Sequence, residues 1–208
     1  MPSAPLGFVA AALVVLLIPG PGVLYIVARS VGQGYRAGLA SALGLSAGAL
    51  VHVAAAAAGL SAILLASATA LSIVKAFGAG YLIYLGIRTL FARRSTVSME
   101  AITPVSLYRL LMDGVVISVF NPKIAVFFLA FLPQFVEPSR GPVQQQVLLL
   151  GLIYVALALI TDSAYALLAG SLRHGLSGRV MQGPLPRYMC GSVYLGLGVN
   201  AAFVGRPH

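Results

Sequence analysis

Long apolar runs separated by short polar intervals dominate the chain, and the runs are longer than the buried helices of a soluble protein. Six segments stand out, at 6–28, 38–66, 70–91, 114–136, 147–172 and 188–204. A helix needs about 20 apolar residues to cross hydrocarbon, so each segment is long enough, the last being near the short limit. The second exceeds the requirement and is expected to tilt or project beyond the bilayer. Lipid offers the backbone no hydrogen-bonding partner, and none of the segments shows the alternation of a barrel strand, so all six read as helices. The expected fold class is an all-α integral membrane protein with six transmembrane helices in a single domain, 1–208.

The longest polar interval, 92–112, separates a first half (1–91) from a second (113–208) and is read as a cytoplasmic connector. Three spans per half is an odd number, so a duplicated half would sit upside down relative to the first. Leu85-Gly86 and Phe91 in the third segment match Leu197-Gly198 and Phe203 in the sixth. The first segment is interrupted by Pro19-Gly20-Pro21-Gly22 and the fourth by Asn121-Pro122-Lys123. Two inverted three-helix repeats with paired helix breaks are a signature of secondary transporters.

Composition supports the membrane reading. Hydrophobic residues make up 60% of the chain and charged residues 8%, against roughly 25% charged in a soluble domain. The formal charge of +9 would suggest nucleic acid in a soluble protein, but here the basic residues flank apolar segments and suit topology and anionic lipid instead. Lys and Arg divide nine to three between the two sides, which places both termini outside a bacterial inner membrane. The first segment lacks a basic leader and an A-x-A site, so it reads as a retained span rather than a signal peptide. A single cysteine, Cys190, excludes an intrachain disulfide. Four acids and three histidines argue against a metal site, and no cofactor is expected. There is no phosphate-binding loop, no His-Glu-x-x-His and no nucleophile elbow, so neither ATP-driven transport nor enzymatic activity is expected. Uphill transport by such a chain must draw on an ion gradient or an external partner.

The chemistry-bearing residues are few. Each proline of Pro19-Gly20-Pro21-Gly22 removes a backbone donor, and each glycine loosens the helix further. Such a break is either a packing kink or the wall of a polar cavity at membrane depth; the tetrapeptide favours the cavity. Lys123 either caps a helix end at the membrane surface or, if buried, requires a carboxylate, helix-end carbonyls or a substrate. Asn121 can donate and accept where the backbone is unpaired. Asp162 lies in apolar sequence and can pair with Lys123, alternate between protonation states, or make one structural hydrogen bond. His52 can relay protons or simply make a single hydrogen bond. Thr161 and Tyr165 can extend a polar face around Asp162, and Tyr81 and Tyr84 are candidate cavity lining or packing. Asp113, beside Arg109, reads as an interfacial acid. Gly44-xxx-Gly48 permits close helix packing, and small-residue faces can serve a homodimer or packing within one chain.

Three of these stretches carry a family resemblance: Pro19-Gly20-Pro21-Gly22, Gly80-Tyr81-Leu82-Ile83-Tyr84-Leu85-Gly86-Ile87-Arg88, and Asn121-Pro122-Lys123-Ile124-Ala125-Val126-Phe127-Phe128 continuing to Phe131-Leu132-Pro133-Gln134-Phe135. In combination and order the chain resembles the lysine-exporter (LysE-type) family, and more closely its homoserine/threonine-efflux (RhtB-type) branch. The resemblance implies a six-helix exporter of amino acids driven by the proton-motive force, with Pro19, Pro21, Asn121, Pro122 and Lys123 at the translocation site. The chain has Gly48-Ala49-Leu50 where some relatives carry an acid, which favours neutral over cationic substrates. A channel or regulatory membrane subunit without coupled transport is the rival expectation, and an exporter of another small metabolite a third.

Overall fold

The computed structural model describes residues 4–66, 80, 84, 87 and 103–171. The sixth predicted segment, and the third apart from Gly80, Tyr84 and Ile87, lie outside the described residues, and with them Tyr81 and the Leu-Gly-Phe correspondence. Within them every regular element is helical. They are α1 (Ala4–Leu17), α2 (Pro21–Gln33), α3 (Tyr35–Ala66), α4 (Leu107–Val119), α5 (Pro122–Val126) and α6 (Val143–Ser171). α5 runs on through a π turn, Phe127–Phe131, and a 3-10 turn, Leu132–Phe135.

Two helices are long and apolar enough to span on their own, Tyr35–Gly59 within α3 and Val143–Ser171. Two more spans are broken. Leu6–Leu17 and Pro21–Gln33 meet at 54°, and Leu107–Val119 and Pro122–Phe135 meet at 46°. Both bends fall where the prolines interrupt the hydrophobic pattern, because proline removes a helix hydrogen bond and clashes with the preceding turn. The described residues thus hold two to four spans.

Helix limits depart from the hydrophobic pattern mainly at polar ends. α4 starts at Leu107 rather than at 114, because Ser106 caps it by accepting from the Arg109 amide at 3.2 Å. Arg109 and Asp113 then fall one turn apart and pair at 3.3 Å. A polar end of this kind extends past the apolar segment without entering hydrocarbon.

α3 occupies the centre and packs against α2, α4 and α6. Its approach to α4 needs glycine on both sides. A Cβ on Gly114 would stand 2.7 Å from the Ser41 carbonyl oxygen, one on Gly48 would stand 2.6 Å from that of Val115, and one on Gly44 would collide with that of Leu111. These contacts are with backbone, which cannot swing aside, so Gly44-xxx-Gly48 serves close packing within this chain. The aromatic side chains gather elsewhere, where Phe8 of α1, Phe127, Phe128 and Phe131 of the π turn and Tyr154 of α6 form one core. The Phe127 and Tyr154 rings stack with centroids 4.4 Å apart. This aromatic block holds the segment after the second break against α6.

Candidate functional site

The residues after the two breaks and the middle of α6 enclose a small buried cavity. Pro19 and Pro21 cannot extend α1, and Gly20 takes the cap position of α2 with extended backbone and no side-chain bond. The first amides of α2 therefore lack intrahelical acceptors, and two of them, at Gly22 and Val23, belong to cavity-lining residues. Across the cavity Asn121 caps α5, its Oδ1 accepting from the Lys123 amide at 3.0 Å. Asp162 of α6 completes the polar lining.

Asn121, Lys123 and Asp162 are all buried, at 5%, 8% and 8% exposure. The Lys123 ammonium is turned inward among the helices. It crosses to the first break and donates to the Ile18 carbonyl at 2.7 Å. A Cβ on Gly20 would meet Lys123 Cδ at 3.3 Å, so the glycine leaves the channel through which the lysine passes. Lys123 also attracts the Asp162 carboxylate electrostatically. A cation and an anion lining one cavity can together hold something with both signs of charge.

The rest of the lining is apolar, including Leu16, Leu45, Ala49, Ile124 and Ala158, with Tyr154 beside them. The cavity holds about 40 Å³, room for a few waters and far below the roughly 300 Å³ of the smaller ligand pockets. A space of that size admits water but not a drug-sized ligand.

Of the residues singled out in the sequence, Gly20, Gly22, Asn121, Lys123 and Asp162 line this cavity. Pro19, Pro21 and Pro122 shape it through the breaks they cause. Thr161 is adjacent in sequence but turns its hydroxyl back to the Leu157 and Ala158 carbonyls, at 3.0 and 3.1 Å. Tyr165 donates to the Leu17 carbonyl at 2.8 Å, just before the first break. His52 Nε2 lies 3.1 Å from the Ser118 carbonyl, just before the second, and its ring stacks on Phe128. Neither belongs to the described lining. Tyr84 is helical and 53% exposed, away from the described lining. Among the described residues no group of acids, histidines and cysteine is placed to hold a metal.

Sequence reasoning missed Tyr154 and the Ile18 carbonyl. Tyr154, Ala158 and Asp162 recur at four-residue spacing, which places them on one face of α6, so the pattern held a signal for the first. The carbonyl had none, since every residue carries one. Asp113, read as an interfacial acid, also accepts from the Tyr25 hydroxyl at 3.4 Å, linking α4 to α2.

The family model of the LysE type translocators matches residues 13–205. An uncharacterised membrane protein of Vibrio cholerae is 31% identical over 201 residues, 95% of each chain. The homoserine/homoserine lactone efflux protein of Salmonella typhimurium is 32% identical over 162 residues, 78% of each chain. The leucine efflux protein of the same organism is 30% identical over 131 residues, 62% of each chain. No solved structure gives a significant match.

Proposed function

The chain belongs to the LysE-type translocator family, a family of membrane transporters rather than enzymes, and we propose that it exports a neutral amino acid by alternating access, driven by the proton-motive force. The observation that carries this reading is the meeting of Lys123, Asp162, Asn121 and the uncapped start of α2 around one cavity. An α-amino acid is a zwitterion. Its carboxylate suits the Lys123 ammonium and the positive end of α2, and its ammonium suits the Asp162 carboxylate. With both charges used on the backbone of the substrate, the apolar lining is left for a side chain of leucine, threonine or homoserine type. The names of the two Salmonella relatives agree with that class.

Coupling follows from competition at Asp162. On the cytoplasmic side the carboxylate loses its proton and binds the substrate ammonium, while the substrate carboxylate takes Lys123 from Ile18. On the outer side a proton neutralises Asp162 and the ammonium leaves. The proton thus moves inward as the amino acid moves outward. The excess of Lys and Arg on one side supports an inner-membrane orientation with both termini outside.

The test uses purified chain in proteoliposomes under an imposed pH gradient, with leucine, threonine, homoserine and lysine supplied singly. Gradient-dependent movement of a neutral amino acid and not of lysine is the expected result. Movement of lysine alone would overturn the substrate class. Movement that never exceeds equilibrium would overturn coupled transport in favour of a channel.

A further inference from the structure

Each proline that breaks a span leaves the carbonyl four residues earlier without its helical donor. Pro19 does this to Val15, whose carbonyl accepts from the Ile18 amide at 3.3 Å instead, which leaves Leu17, deprived by Pro21, and Ser118, deprived by Pro122. In apolar surroundings an unpaired carbonyl is costly, because lipid supplies no hydrogen. Both carbonyls are served from the opposite half of the chain. The Tyr165 hydroxyl of α6 donates to Leu17 at 2.8 Å, across 148 residues. His52 of α3 lies 3.1 Å from the Ser118 oxygen through Nε2, across 66 residues. The Ser118 carbonyl also accepts from the Asn121 amide at 3.0 Å, so it depends less on its side-chain donor than Leu17 does.

We propose that Tyr165 and His52 are positioning residues, each returning to a broken helix the hydrogen its proline removed and thereby fixing the bend that aims the cavity groups. Tyr165 ties the end of α1, at the break that leads into α2, to the helix that carries Asp162 one turn earlier. His52 sets the start of α5, where Asn121 and Lys123 stand. This reading assigns His52 a carbonyl to hold rather than a proton to carry. Its effect on transport rests on the proposed function; the hydrogen bonds themselves do not.

Thermal unfolding of the purified chain tests the bonds without any transport. Tyr165→Phe keeps the ring and removes the hydroxyl, and is expected to lower the midpoint by a few degrees. Pro21→Ala restores an amide hydrogen at position 21, so in that background the same change is expected to cost less than half as much. His52→Ala and Pro122→Ala form the second cycle, with a smaller coupling because Asn121 shares the carbonyl. Additive effects in both cycles would overturn the proposal.

Uptake kinetics then test the positioning. Tyr165→Phe is expected to raise the apparent KM about tenfold while Vmax stays within about twofold. His52→Gln, whose amide nitrogen reaches about as far as Nε2, is expected to recover the KM that His52→Ala loses. If His52→Gln instead abolished proton dependence as fully as alanine, His52 would be a proton carrier and the proposal would fail for it. Unchanged KM in Tyr165→Phe, despite coupling in the unfolding cycle, would remove its positioning role. If the unaltered chain moved no amino acid, the transport reading would fall while the unfolding cycles still decided the bonds.

Discussion

At the first break Gly20 occupies the helix cap and brings no side chain, so the first amides of α2, at the cavity-lining residues Gly22 and Val23, have no cap to accept from them. At the second, Asn121 occupies the same place and closes on the Lys123 amide at 3.0 Å. Both bends come from proline and are similar in angle, 54° and 46°. The first therefore contributes open donors and an open carbonyl, Ile18. The second satisfies its own helix start and contributes a charged side chain that fills that carbonyl at 2.7 Å. Two similar interruptions in sequence become complementary halves of one site because one is capped and the other is not.

Breaking the link between them should have the largest effect. Lys123→Met removes the ammonium while keeping an unbranched stem, leaves the Ile18 carbonyl without this donor and takes away the carboxylate partner. Uptake of labelled substrate is expected to fall by at least about 100-fold, and retention of more than a tenth would detach Lys123 from the site. Next comes Asp162→Asn, which preserves shape and removes the titrating group. Accumulation against a gradient should disappear and the pH dependence of transport flatten, whereas downhill counterflow persists at a reduced rate; a variant that still accumulates substrate would clear Asp162 of coupling.

Making the first break resemble the second sharpens the contrast. Gly20→Ser supplies a cap for the bare amides and crowds Lys123 Cδ, which is 3.3 Å from the added Cβ position. A rise of roughly tenfold in apparent KM with little loss of thermal stability is expected, and an unchanged KM would mean the amides do not meet substrate. The smallest effect should come from making the second break resemble the first. Asn121→Ala removes the cap of α5 and is expected to cost about 1 kcal/mol in unfolding free energy, with a loss of uptake far smaller than that of Lys123→Met. A loss as large as that of Lys123→Met would show Asn121 touching substrate directly.

Much of this was legible beforehand. Pro19-Gly20-Pro21-Gly22 and Asn121-Pro122-Lys123 located the bends, because proline breaks a helix whatever its surroundings. Lys123 and Asp162 stood out because charge in apolar sequence demands an explanation. Gly44-xxx-Gly48 announced a close approach but not its partner, α4. The roles of His52, Thr161 and Tyr165 were not legible. A histidine, a threonine and a tyrosine near an acid look alike as polar residues, yet one reaches a carbonyl at the second break, one turns back on its own helix and one reaches the first break.

By itself the sequence determined the solvent, the helical class, the positions of the breaks and the rarity of the charges, since each follows from local composition and backbone chemistry. Only the tertiary structure decided which carbonyl each donor serves. The bonds that close the breaks join residues 66, 105 and 148 positions apart, and a hydrogen bond acts over about 3 Å. No pattern along the chain specifies so short a contact between such distant residues; the packing of α3 and α6 against the bent helices does.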